Sequence, residues 1–233
     1  EGSKVVLADV KAAKVADAAR RLADEGAEAI SVAVDVGGGA QVAAMADAAL
    51  EAFGSVDILV NNAGGSGNQR ATEIEDVSEE VWDGVIDANL KGTFLCCKAV
   101  MPGMKAQGYG RIVNISSGLA RGIGNAQGTA GAALPYAAAK AGILGFTYFL
   151  AKTAARHGIL VNVVLPDLML TEPGARVRDC FDSLSEEAKA QVLARNAMGR
   201  AGAPEELASI VLFLASEECG YVSGAAIDVH EAG

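Results

Sequence analysis

The chain has 233 residues, 51% of them hydrophobic, and a formal net charge of −10. That charge disfavours non-specific binding to nucleic acid or to an anionic membrane, and no apolar run approaches the roughly 18 residues of a membrane span. This length and a mean hydropathy of +0.28 instead suit one domain over residues 1–233, with a parallel sheet buried under helices.

Short β-branched runs alternate with helical patterns along the chain. Lys4–Ala8 reads as a strand ending at Asp9. An amphipathic helix over Lys11–Glu25 follows, stopped by Gly26. Ala29–Val34 is a second strand ending at Asp35, and Ala40–Phe53 a helix stopped by Gly54. Asp57–Val60 is a third strand. Ser78 caps a long helical region reaching Met104, with Gly92 as a possible break. Arg111–Ile115 is a fourth strand, and Pro135 opens a helix to about Arg156. Ile159–Leu165 is a fifth strand, followed by helices at Glu172–Cys180, Ser185–Asn196 and Pro204–Ser216, and a last strand at Ala225–Val229. The stretch Gly118–Leu134, rich in Gly and Ala, reads as a loop.

This alternation predicts a doubly wound parallel sheet in a three-layer α/β/α, Rossmann-like arrangement. In such sheets ligands bind beyond the carboxyl ends of the strands. Those ends carry Asp9, Asp35, Asn61 to Gly64, Ser116 with Ser117, and Pro166.

The four cysteines are Cys96, Cys97, Cys180 and Cys219, and the two histidines are His157 and His230. None has metal-ligand spacing, so no metal is expected. Reduced thiols point to a cytoplasmic protein. Cys96 and Cys97 are adjacent in a helix, so at most one should face the core fully.

Tyr136 and Lys140 lie four apart in the run Leu-Pro-Tyr-Ala-Ala-Ala-Lys, on one face of a helix. A free phenol titrates near pH ~10. Moving it to about 7 requires roughly 4 kcal/mol of preference for phenolate, much of which a neighbouring ammonium can supply. A serine hydroxyl can then hold the substrate oxygen while the phenol gives or takes a proton. Chance alone gives about 0.15 such Tyr/Lys matches in this composition, so the pair carries weight only with its surroundings.

Those surroundings closely resemble the short-chain dehydrogenase/reductase family. The motifs stand in the family's order: Asp-Ile-Leu-Val-Asn-Asn-Ala-Gly at 57–64, Asn-Leu-Lys-Gly at 89–92, Gly-Arg-Ile-Val-Asn-Ile-Ser-Ser at 110–117, Tyr-Ala-Ala-Ala-Lys at 136–140, Val-Asn-Val-Val-Leu-Pro at 161–166, and Gly-Arg-Ala-Gly-Ala-Pro-Glu-Glu at 199–206. The resemblance implies that Tyr136 is the general acid/base, that Lys140 lowers its pKa and holds the nicotinamide ribose, and that Ser117 orients the substrate. Asn89 would complete a tetrad by holding a relay water. Ser116 reads as a strand-end hydroxyl bonded to backbone.

For the cofactor, the resemblance implies that Asn61 and the turn through Asn62, Ala63 and Gly64 pass the adenosine half. Asp35 with Val36 would meet the adenine edge, and Pro166 and Thr171 the nicotinamide. Asp9 would accept the adenosine-ribose hydroxyls and repel a 2′-phosphate, so NAD is expected rather than NADP. Asp9 and Asp35 can also cap the helices that follow them.

The sequence departs from the family in four places. The turn after the fifth strand reads Pro166-Asp167, not Pro-Gly. Ser117 to Tyr136 spans 19 positions, longer than in many members. The last residues read Val-His-Glu-Ala-Gly where the family often has Val-Asp-Gly-Gly. No strand and Gly-rich loop precede Asp9; Gly122-Ile-Gly124 is a local echo only. The sequence therefore reads as a fragment short of about one strand–helix half-unit. Lys4–Ala8 should then stand about 9–10 Å, two strand spacings, from Asp57–Val60, or the two should pair directly. Either way the chain by itself should lack a pyrophosphate cradle and bind no NAD.

Two functions follow. The first is an NAD-dependent oxidoreductase interconverting a secondary alcohol and a ketone, acting as a 3-oxoacyl reductase or a hydroxy-acid or cyclic-alcohol dehydrogenase. The second is a shortened, non-catalytic relative that binds a nucleotide or partner. The resemblance also implies a homo-oligomer, a tetramer or dimer. Leu144, Phe146, Tyr148 and Phe149 spread round their helix more widely than one core stripe requires. Arg176, Arg178 and Arg195, mixed with Val177, Phe181 and Leu184, select no substrate class.

Overall fold

A computed structural model describes residues 2–67, 71, 73–123, 130–194, 196 and 198–229. Gly124, Arg195 and His230 lie outside the described residues. Among the described residues there are six parallel strands: β1 (Val5–Asp9), β2 (Ala29–Ala33), β3 (Ile58–Asn61), β4 (Gly110–Ile115), β5 (Ile159–Pro166) and β6 (Ala226–Val229). The α-helices among them are α1 (Ala12–Asp24), α2 (Gly39–Phe53), α3 (Glu79–Ile86), α4 (Gly92–Gln107), α5 (Ala130–Ala154), α6 (Arg176–Asp182), α7 (Glu186–Leu193) and α8 (Pro204–Ala215). The Rossmann-like α/β class expected from the alternation is the observed one.

β4 and β5 form the centre. Successive residues of β4 point to opposite faces. Ile112 packs with Cys97, Val100 and Met104 of α4 and with Ala151 and Ala154 of α5. Val113 and Ile115 pack against Leu214 of α8. Helices therefore cover both faces of these two strands, and the near-continuous apolar runs are explained.

The sheet is in two pieces, β1-β2 and β3-β4-β5-β6. β1 and β3 have not paired directly, which excludes one of the two arrangements expected from the sequence. One face of β3 is also open. Leu59 packs toward α4, while Ile58 and Val60 on the other face stay 39% and 42% exposed.

Three details depart from the sequence reading. α5 starts at Ala130, ahead of Pro135, so part of the expected loop is helix. Pro135 lacks an N–H and its ring crowds the carbonyl four residues back, and it stands only five residues from the start of the helix. The helix ending at Gln107 is broken not at Gly92 but by a π turn over Asp87–Lys91. Cys96 and Cys97 are both buried. α4 lies between two apolar clusters, with Cys97 facing β4 and β5 and Cys96 facing α2. Burial pushes these thiols up to about 11 and about 12, so both stay protonated.

Candidate active site

The carboxyl ends of β3, β4 and β5 adjoin, with β4 in the middle. Below them runs a buried polar chain. Asn61 Nδ2 donates to Asn114 Oδ1 at 2.8 Å, and Asn114 Nδ2 donates to Thr147 Oγ1 of α5 at 2.8 Å. Asn61 thus points into the core rather than toward a ligand. The chain fixes the strand ends against α5, which carries the reactive pair.

Two further bonds lock that pair. Lys140 Nζ donates to the Ile115 carbonyl at 2.8 Å, and Ser116 Oγ donates to the Lys140 carbonyl at 2.8 Å. Ser116 has the backbone-bonded place expected of it. Ser117, one residue on, leaves the strand, and its Oγ accepts from Leu119 N at 3.3 Å. The Ser117 hydroxyl is near enough to the Tyr136 phenol to oppose its upward shift. Lys140 Nζ lies 5.3 Å from the Tyr136 ring centroid.

The electrostatics differ from the simplest expectation. Burial raises the Tyr136 phenol, and the Ser117 hydroxyl opposes it only in part. Burial also lowers Lys140 from the ordinary 10.5 to about 8. Lys140 is 3% exposed, and its ammonium is turned to a carbonyl rather than to the phenol. In this arrangement the lysine does not bring the phenol below its ordinary range, because both groups lose hydration together. A phenol held protonated is suited to donate a proton to a developing alkoxide.

Asn89 sits in the π turn and is fully buried. Its Nδ2 donates to Gly65 O at 2.9 Å and to Val85 O at 2.8 Å, and its Oδ1 accepts from Gly65 N at 3.2 Å. Both amide hydrogens are committed to backbone, so the side chain shapes the loop leaving β3, and Oδ1 keeps one accepting position. Gly64 must be glycine: its φ is +144°, and a Cβ would stand 2.2 Å from Asn89 Oδ1. Leu90 packs on Gly142, two residues past Lys140, which brings the π turn beside the reactive helix.

The expected cofactor residues follow the strand ends. Asp9 ends β1, where its Oδ1 accepts from Lys11 N at 2.7 Å; Oδ2 has no partner among the described residues. Asp35 Oδ1 accepts from Gly37 N at 2.9 Å, and Val36 packs where a side chain on Gly92 would fall. Asn62, Ala63 and Gly64 are exposed past β3. Pro166 ends β5, and Thr171 follows a bridge between Met169 and Gly202. Asp167 Oδ1 lies 3.8 Å from where a Cβ of Gly118 would be, beside Ser117. These residues suit a dinucleotide: two acids without cations among the described residues on the adenosine side, and a glycine turn open to solvent. A cleft of about 390 Å³ lined by Leu50, Val56, Ala99 and Gln107 lies away from all of them.

Known proteins share this fold. A family model described as enoyl-(acyl carrier protein) reductase matches residues 1–231. The chain belongs to the short-chain dehydrogenase/reductase family. It is 39% identical over 224 residues to a (2S)-[(R)-hydroxy(phenyl)methyl]succinyl-CoA dehydrogenase subunit of Thauera aromatica, covering 96% of this chain and 84% of that one. The structure of a gluconate 5-dehydrogenase from Burkholderia cenocepacia with NADP and tartrate matches with a TM-score of 0.84 and 32% identity, over 98% of this chain and 84% of that one. A 7α-hydroxysteroid dehydrogenase with NADH and 7-oxo glycochenodeoxycholic acid matches with a TM-score of 0.86 and 28% identity, over 100% of this chain and 85% of that one. Family members act on CH–OH and keto groups, and so does this enzyme; its cofactor class is NAD(P).

Sequence reasoning missed the Asn61–Asn114–Thr147 chain and the double tie between β4 and α5. An asparagine at 114, inside the apolar run of β4, was the available signal. It also missed Arg176, whose Nη1 donates to Ser66 Oγ at 2.5 Å.

Proposed function

We propose that the protein is an NAD-dependent oxidoreductase that interconverts a secondary alcohol and a ketone, with Tyr136 as general acid/base. The observation that carries this is the Ser117–Tyr136 hydroxyl pair beside a buried Lys140. Ser117 holds the substrate oxygen; Tyr136 exchanges its proton with that oxygen. Lys140 supplies positive charge near the phenolate as the proton leaves. Asn89 acts as a positioning residue through Gly64 and Gly65. When bound, the nicotinamide supplies or accepts the hydride. It would be held by Tyr136, Lys140, Pro166 and Thr171, with Asp9, Asp35, Val36, Asn62, Ala63 and Gly64 along the adenosine half.

NAD is favoured over NADP because Asp9 presents a carboxylate with no cationic partner among the described residues, which repels a 2′-phosphate. The proteins it matches are named with a coenzyme A thioester, with tartrate and with a bile acid. These favour an acyl-thioester or hydroxy-acid substrate. Tyr148 and Phe149 of α5, 42% and 73% exposed, favour a homo-oligomer joined through this helix.

A second reading, a non-catalytic binding protein, is favoured by the raised Tyr136 phenol and by Lys140 turned to Ile115. The test is nicotinamide absorbance in assays with 3-oxo and 3-hydroxy acyl substrates. Tyr136→Phe should lower kcat by about 10²- to 10⁴-fold with the cofactor still bound. Turnover equal to wild type would remove Tyr136 from the chemistry. Nicotinamide binding without turnover by either protein would favour the second reading.

A further inference from the structure

Most described cations between residues 172 and 206 are matched by an acid. Arg178 pairs with Asp182 at 2.7 Å, Lys189 with Glu186 at 2.8 Å, and Arg200 with Glu206 at 2.6 Å. Arg176 differs. Among the described residues no carboxylate lies within ion-pair distance of it, and its guanidinium is bonded to the neutral hydroxyl of Ser66, 110 residues away.

The location gives that arginine a purpose. Ser66 lies on the loop leaving β3, just past the Gly64–Gly65 turn held by Asn89. Arg176 opens α6, on the segment leaving β5. β4 lies between those two strands, and Ser117 leaves its end. A bond from Ser66 to Arg176 therefore joins the segments leaving the two strands that flank the one Ser117 leaves. Asp167, another group without a described partner, is close to Gly118, next to Ser117. The carboxyl ends of these strands thus carry a cation tied between the outer two and an anion beside Ser117.

We infer that Arg176 is a binding and specificity-determining residue that exchanges the Ser66 hydroxyl for an anionic group of the substrate, a carboxylate or a phosphate. A guanidinium binds such groups through two parallel hydrogen bonds, each stronger than its bond to a neutral hydroxyl. Asp167 repels the same anion from the Ser117 end, so the substrate enters with its carbonyl toward Tyr136 and its charge toward Arg176. This inference rests on the reading of the site as one for an alcohol or ketone, and it names the class of substrate.

The test compares three probes: 3-oxobutanoate, which carries only a carboxylate; coenzyme A, which carries only phosphates; and ethyl 3-oxobutanoate, which carries neither. Binding is read from thermal shift and calorimetry in wild type, Arg176→Gln, Arg176→Lys, Ser66→Ala and the control Arg178→Gln. Arg176→Gln should weaken one of the two anions by about 10- to 100-fold relative to the ester, and the anion affected identifies the source of the charge. Arg176→Lys should lie between, because it keeps charge and loses the fork. Ser66→Ala should bind that anion at least as tightly as wild type, and Arg178→Gln should match wild type within about twofold. Wild type that binds neither anion overturns the inference. So does an equal loss for ester and anions, which would make the Ser66 bond a structural latch. Turnover is measured separately. Arg176-dependent anion binding without turnover would sink the oxidoreductase reading and leave the anion site standing; turnover indifferent to the charge on the probe would do the reverse.

Discussion

β4 is buried at every residue and β5 at nearly every one, while no residue of β1 or β2 is fully buried. The central strands have partners on both edges and helices on both faces. β1 has a partner on one edge only. The difference matches what each half is asked to do. The proton transfer proposed for Ser117, Tyr136 and Lys140 depends on hydrogen-bond distances, and those residues sit on the part that cannot shift. The acids proposed to meet the adenosine half, Asp9 at the ribose and Asp35 at the adenine edge, act over a longer range and tolerate a looser support.

The largest expected effect tests that contrast directly. Ile112→Ala removes a side chain with 0% exposure between α4 and α5 and should cost about 3–4 kcal/mol. Val6→Ala on half-buried β1 should cost about 1 kcal/mol or less. Equal losses in urea unfolding would erase the distinction between the halves.

Gly64→Ala comes next. It forces a side chain into an unfavourable φ and against Asn89, and should destabilise by about 2–3 kcal/mol while lowering activity. Relief of the stability loss by a second change, Asn89→Ala, would confirm the contact as its cause; additive losses in the double variant would refute it.

Lys140→Met should raise stability at pH 7 by about 1–2 kcal/mol, since it removes a buried charge and loses one hydrogen bond. The sign with pH follows from Lys140 being lowered from 10.5 to about 8. Between those values the unfolded chain binds a proton that the folded chain has lost, so the contribution of Lys140 to stability rises with pH, by at most about 3 kcal/mol. Cys96 and Cys97, raised by burial from 9.0 to about 11 and about 12, act in the other direction above pH 9, and Tyr136, raised by burial, does so above its unfolded value of 10.0. Melting curves from pH 7 to 9 should show the rise in wild type and its absence in the methionine variant.

Asp9→Asn is the gentlest change. It should narrow the preference for NAD over NADP by about 10-fold, measured as kcat/KM, and cost under about 1 kcal/mol through the Lys11 hydrogen bond. A preference that does not move would detach Asp9 from cofactor choice.

The sequence made the strands and most helices legible because apolar runs with Gly, Ser and Pro at their ends are local signals. Ser78 and Ser185 accept from Val81 N and Ala188 N as caps should. The start of α5 was hidden because Pro135 is a plausible first residue and winding ahead of it depends on tertiary contacts. The double burial of Cys96 and Cys97 needed knowledge that α4 has clusters on two sides. In the site, Ser117, Tyr136 and Lys140 were legible through motif order. The commitments of Asn89 to Gly65, and of Arg176 to Ser66, join distant segments, and no local pattern encodes them.

The π turn at Asp87–Lys91 makes helix phase a property of the site. A π turn holds one residue more than an α turn, so the faces of α3 and α4 are offset by about 100° from a continuous winding. Losing any one residue there would rewind the segment and rotate α4 against α3 by that angle. Asn89 would swing off Gly65, Gly92 off Val36, and the two cysteines off their separate clusters, all in one step. A single inserted residue thus acts as a clutch between the helix that faces the loop of β3 and the helix that builds the core. Point substitutions can loosen its teeth, but only a change in length disengages it.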